Sequence, residues 1–226
     1  MPKAKLLVQN FYMNDAFPIY FFDKIEFKNS ITFKRFNLTK LANQFKHNNT
    51  KMQTKQDIIT ELEHIFNETT AFIEKVDDSI FNKSIDKKWS IAENIDHLSI
   101  AQNVTALSFN MPKIALKQLF KTNNRTNWNY DETVWKYQRT LNSGGKASFA
   151  FQPKVSLAKN KKIVLYFWKK SCDSFLNAAK SWNEEDLDTY IIPHPLIGKI
   201  TMREFLFFSV YHVKHHLQTI KNIAEK

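Results

Sequence analysis

The 226-residue chain carries 33 Lys and Arg against 22 Asp and Glu, a formal charge of +11, and is 43% hydrophobic and 14% aromatic. That is enough apolar material for one buried core, while its longest apolar runs, FPIYFF (17–22) and FLFFSV (205–210), fall far short of the roughly 20 residues a bilayer-spanning helix needs. The single cysteine, Cys172, excludes an intrachain disulfide framework and any CxxC motif; at a helical core spacing it reads as a small buried hydrophobe.

Charge is unevenly spread. Residues 1–51 hold nine Lys and Arg against three Asp and Glu, a net of +6, leaving 24 against 19, a net of +5, for residues 52–226. The main domain is thus only mildly basic, and neither nucleic acid nor a membrane is expected as a partner. MPKAKLLVQN at the N-terminus lacks a secretory pattern, so a cytoplasmic location is the default expectation. Residues 1–51 lack glycine and contain eight of the 20 phenylalanines. They read as an N-terminal extension, either upstream DNA translated from an early start with Met52 as the true one, or a small hairpin around Lys28, Asn29 and Ser30.

From Thr54 the apolar residues Ile58, Leu62, Ile65, Phe66, Phe72, Ile73 and Val76 recur at three- and four-residue steps, which predicts a first helix. After the polar link DDSIFNKSIDKK, Ser90 and Glu93 have capping-box spacing and open a second helix, bent or interrupted around Pro112. Residues 121–159 form a long connection with a turn at Gly144 and Gly145. A third helix runs from about Val164 to Trp182, NEEDLDTYIIPHPLIGK is a loop, and Thr201 with Glu204 caps a fourth helix reaching about Ala224. The expected fold over 52–226 is all-α, a four-helix bundle. A crossover insertion of that length between helices two and three permits up-down-down-up order, with up-down-up-down as the alternative.

YHVKHHLQTI (211–220) places His212 and His216 four residues apart on one helical face, where both imidazoles can reach one cation. A third ligand must come from elsewhere, and His97, in the middle of the second helix, is the candidate. Spacing alone leaves open that each histidine is exposed or makes a single core hydrogen bond. Phe205 and Phe208 extend the same stripe as core residues that could dry a pocket. His194 reads as a turn-stabilising residue or a pocket residue.

The Trp89 helix start with His97-Leu98, the His194-Pro195 to Gly198 turn, and the H-x3-H of His212 and His216, in that order and separation, resemble the DinB-like superfamily over residues 52–226. The resemblance implies a divalent metal held by His97, His212 and His216 inside an up-down-down-up bundle. It further implies a metal-dependent S-transferase using a low-molecular-weight thiol as co-substrate, although many members have no assigned reaction. HHLQT at 215–219 departs from the HHRGQ of many relatives, which removes any basis for carrying over a substrate contact there.

Three neutral imidazoles leave a coordination position open for a thiolate or for water, so a transferase and a hydrolase are both compatible with the residues, as is a non-catalytic bundle with a structural metal. Zinc or nickel suits the donor set first, iron or manganese second. Two catalytic candidates accompany the triad: Glu93, as a base or, preferably, as the cap of its helix, and His215, as a residue that orients a ligand or sits on the surface. Asp96 reads as a solvated charge. The aromatic residues of the insertion, Trp128, Tyr130, Trp135 and Tyr137, are expected to form a local core, a lid or a homodimer contact. A small-molecule substrate is the expected partner.

Overall fold

A computed structural model describes residues 52–85, 88–154 and 160–225; both readings of residues 1–51 lie outside the described residues. Helix α1 (Lys55–Lys75) is opened by Thr54, whose side chain accepts from the Asp57 N–H while Asp57 accepts from the Thr54 N–H. Its buried stripe, Ile58, Leu62, Ile65, Phe66 and Ile73, is the one the apolar spacing predicts. The polar link that follows contains a single turn of helix, α2 (Asp78–Phe81), which plugs Phe81 fully into the core.

Helix α3 (Ile91–Phe109) begins with the expected reciprocal cap: Ser90 Oγ accepts from the Glu93 N–H, and Glu93 accepts from the Ser90 N–H at 2.7 Å. It ends before Met111, because proline disfavours helical geometry in the residue that precedes it, and the chain restarts as α4 (Lys113–Phe120) with Pro112 as N-cap. The interruption foreseen at Pro112 is therefore a full break between two helices.

The connection 121–159 is not simply a long link. It contains a 13-residue helix, α5 (Tyr130–Asn142), capped by Asn129 and Glu132 and packed on the last helix through Val134 and Tyr137. A Schellman turn closes it, with the Gly144 N–H donating to Leu141 O and the Gly145 N–H to Thr140 O. Both glycines are required: Gly144 has φ +91°, and a Cβ on Gly145 would stand 2.8 Å from Thr140 O. A 3₁₀ turn (Phe149–Phe151) follows.

Asn160 caps α6 (Lys161–Lys180). The segment read as a loop after it holds α7 (Glu184–Thr189) and a hairpin, β1 (Ile191–His194) with β2 (Gly198–Thr201), paired antiparallel from Ile191–Thr201 to His194–Gly198. Gly198, at φ +79°, supplies the left-handed residue of its turn. Thr201 and Glu204 then cap α8 (Met202–Ala224) as expected. The described residues thus contain eight helices and one two-stranded sheet, with α1, α3, α6 and α8 forming the bundle.

Ion pairs and ring contacts fix the helix directions. Lys169–Glu74 and Lys180–Glu63 make α1 and α6 antiparallel, and Lys214–Glu61 with Lys221–Glu68 makes α1 and α8 parallel. Phe109, ending α3, meets Phe175 and Trp182 at the end of α6, so those two run parallel. The order is up-down-down-up. Fully buried Trp168 and Phe175 anchor the core between α1 and α6, with Phe66 edge-on to Trp168 at 5.5 Å. No described helix is long and apolar enough to cross a membrane.

Candidate metal centre

Antiparallel packing of α3 and α8 brings His97 against His212 and His216. Their ring centroids are 4.7 to 5.0 Å apart, and one potential ligand nitrogen from each lies within 4.8 Å of the others. All three rings are buried, and burial, the largest cause for each, depresses every pKa, so the rings are neutral and carry a free lone pair.

Hydrogen bonding decides which nitrogen carries that lone pair. The His97 Nδ1–H donates to the Phe151 carbonyl at 2.6 Å; a carbonyl only accepts, so His97 Nε2 is unprotonated. Asn94 spends its amide N–H groups on Trp89 O and Ser90 O, which leaves Oδ1 to accept from the His216 Nδ1–H at 2.7 Å and frees His216 Nε2 as well. His97 Nε2 stands 3.1 Å from His212 Nε2. Two zinc-bound nitrogens at tetrahedral geometry would stand about 3.3 Å apart. Three neutral imidazoles, with the tautomers of His97 and His216 set by a carbonyl and an amide oxygen, fit a divalent cation.

Around the triad the walls are aromatic. Phe208 stacks on His212 with centroids 4.9 Å apart, and Trp89 lies 5.0 Å from His97 and stacks at 6.3 Å on His216. Beside the three rings lies a cavity of about 190 Å³, lined also by Ala101, Val104, Tyr137, Leu141, Ala147, Phe151, Leu196 and Phe205. Among the described lining residues none is Asp or Glu, and Lys146 is the one formally charged side chain.

The remaining candidates separate. Glu93 is occupied by the cap of α3 and does not line the cavity, so it is not placed to act as a base. His194 both stabilises its turn and faces the cavity, and Phe205 and Phe208 are buried in the wall. His215 is half-buried on the wall, stacked on Tyr211, and makes no described hydrogen bond to either neighbouring imidazole; Asn94 and Phe151 perform that orientation instead. Asp96 is not a free surface charge, because it accepts from the Lys154 N–H at 2.6 Å and so clips the end of the insertion to α3.

Two contributors escape sequence reasoning, Asn94 and the Phe151 carbonyl, while Trp89 and Tyr137, legible as a helix start and as an insertion aromatic, turn out to line the cavity. Asn94 had a readable signal, three residues before His97 on the same helical face. The Phe151 carbonyl depends on how the insertion folds back, which no local spacing encodes. Cys172 is buried on the α1–α6 side, and burial, the largest cause, raises its thiol pKa, as suits an inert residue.

Comparison with known proteins agrees with this architecture. The family model for the DinB superfamily matches residues 39–220. The uncharacterized protein YuaE of Bacillus subtilis (strain 168) is 25% identical over 158 residues, covering 66% of this chain and 86% of that protein. Among solved structures, YfiT from Bacillus subtilis, described as "a probable metal-dependent hydrolase with an unusual four-helix bundle topology", aligns with a TM-score of 0.53 at 17% identity over 80% of this chain and 90% of its own. With a four-helix bundle, an imidazole triad between its second and fourth long helices and a family match over most of its length, the chain belongs to the DinB superfamily.

Proposed function

We propose that the protein is a metal-dependent enzyme that joins a low-molecular-weight thiol to a small apolar electrophile, with His97, His212 and His216 holding a divalent ion, zinc or nickel first. The observation that carries this reading is the convergence of three neutral imidazoles on the wall of an apolar cavity with no described carboxylate. When bound, the ion supplies Lewis acidity that favours the ionised form of a thiol or water beside it.

The chain's own residues do the rest. Phe151 O and Asn94 Oδ1 keep two ring tautomers with Nε2 free, Phe208 and Trp89 pin the rings and keep water from them, and the apolar wall receives the body of the electrophile. That none of the described lining residues is a carboxylate favours thiol transfer on chemical grounds. An ionised thiol attacks without further help, whereas hydrolysis needs a group to take the proton from water and pass it to the leaving group.

A metal-dependent hydrolase is the second reading. His215, half-buried on the cavity wall, is the group placed to move that proton, and the description of YfiT points the same way. Metal-loaded protein assayed with bacillithiol, mycothiol and glutathione against a chromogenic electrophile separates the two. Turnover with a thiol supports the transferase, and ester or amide cleavage without thiol selects the hydrolase. Loaded protein inert in both assays leaves a structural metal site.

A further inference from the structure

His194 ends β1 and begins the turn to β2, and its two ring nitrogens have different tasks. Nδ1 accepts from the backbone N–H of Leu196 at 3.2 Å and of Ile197 at 3.3 Å. A nitrogen that accepts holds its lone pair, so the proton of the neutral ring sits on Nε2. Protonating Nδ1 would cost both turn contacts, and burial alone pushes the pKa of this ring down to about 3.

The Nε2–H is therefore a permanent donor, and among the described residues it makes no hydrogen bond. Its surroundings are aromatic: Phe208, Phe205 and Tyr137 meet the ring edge-on with centroids at 4.2, 5.6 and 6.3 Å. The Nε2–H is not sealed in the protein but opens on the cavity, where an acceptor from outside the chain can reach it. The ring lines the same cavity as the imidazole triad, and Phe208 touches both His194 and His212. A second polar atom on that wall, Ser148 Oγ, is itself buried and has no hydrogen-bond partner among the described residues.

We propose that His194 Nε2–H is the site's donor to a substrate oxygen, and hence that the substrate has an apolar body bearing a carbonyl. Resting on the reading of the cavity as the substrate site, this assignment makes His194 the residue that aims the carbonyl while the aromatic wall holds the remainder. Turn stabilisation and substrate recognition are then two ends of one ring.

Zinc-loaded full-length protein is titrated with acetophenone and with α-methylstyrene, which share a shape and differ in oxygen against methylene, while ring nitrogens are followed by NMR with ¹⁵N-histidine. His194→Asn keeps an acceptor near the Nδ1 position and deletes the donor; His194→Gln keeps an N–H near Nε2 and deletes the turn acceptor. The ketone-to-alkene affinity ratio is expected to fall about three- to tenfold in His194→Asn, with alkene affinity unchanged, and to be largely kept in His194→Gln. In the wild type the ketone alone should displace the His194 Nε2–H resonance. An unchanged ratio in His194→Asn, or a ring protonated on Nδ1, overturns the assignment and leaves the proposed reaction standing. If neither probe binds the wild type, the apolar substrate cavity falls as well. Should His194→Asn not fold, the wild-type spectrum decides, with displacement by ketone alone supporting the donor and its absence overturning it.

Discussion

The two long-helix interfaces on opposite sides of this bundle solve different problems. Between α1 and α6, Phe66, Trp168 and Phe175 interlock, and the solvent edge is laced by Lys169–Glu74 and Lys180–Glu63. Between α3 and α8 the buried residues include a polar group, Asn94, His97, His212 and His216, next to a cavity, with His97 and His216 held by specific hydrogen bonds. One interface satisfies itself by packing, which is non-directional and tolerant. Its counterpart aligns lone pairs on a common point, an arrangement that serves folding poorly because buried polar groups must each be matched. A scaffold stabilised on one side can carry that cost on the other.

Substitutions should separate the two sides. His212→Ala is expected to have the largest effect, taking metal content from about one ion per chain to none by elemental analysis while the circular dichroism of the bundle persists. Phe175→Ala should do the reverse, destabilising the fold by about 3–5 kcal/mol in denaturant titration with metal stoichiometry unchanged. Asn94→Ala tests whether tautomer control matters: losing the acceptor of the His216 Nδ1–H should weaken metal affinity about 10- to 100-fold in a chelator competition. Equal affinity would show that His216 orients itself.

Acidity should act chiefly on the α3–α8 side. His97, His194, His212 and His216 are buried neutral, with pKa values lowered from 6.5, that of His194 to about 3. Below pH 6.5 the unfolded chain therefore takes up protons that the fold refuses. Stability of the metal-free protein is complete above about 6.5 and declines as the pH falls from there toward about 3. A denaturant midpoint that stays flat from pH 7 to 4.5 would contradict this. The smallest effect belongs to the solvent edge, where Lys169→Ala should change stability by less than about 1 kcal/mol, because both partners of its ion pair are half exposed.

Legibility followed the same division. The periodic stripe of α1, the capping boxes at Ser90 and Thr201 and the His212–His216 pair are local patterns, and the bundle and two of the three imidazoles could be read from them. The direction of α6 was inferred from connection length, and its paired lysines and glutamates bear it out. Helix α5 has few apolar positions and so shows no clear stripe, although Asn129 and Glu132 carry the same cap spacing as the starts of α3 and α8. The β1–β2 hairpin is hidden in the sequence because four-residue strands around Pro193, Pro195 and Gly198 carry the residues of turns. Asn94 and the Phe151 carbonyl act on the site only once distant segments meet, 122 and 54 residues from the rings they hold.

Cobalt(II) titration of the full-length metal-free protein, followed by its visible absorption, tests the central claim most directly, since those bands report coordination geometry and ligand type. The account predicts saturation at one ion per chain with the intensity of a four-coordinate, nitrogen-rich site, a new sulfur-to-cobalt band on addition of thiol, and no spectrum in His212→Ala. Saturation with an unaltered spectrum in His212→Ala, or no bound cobalt in the wild type, would contradict it.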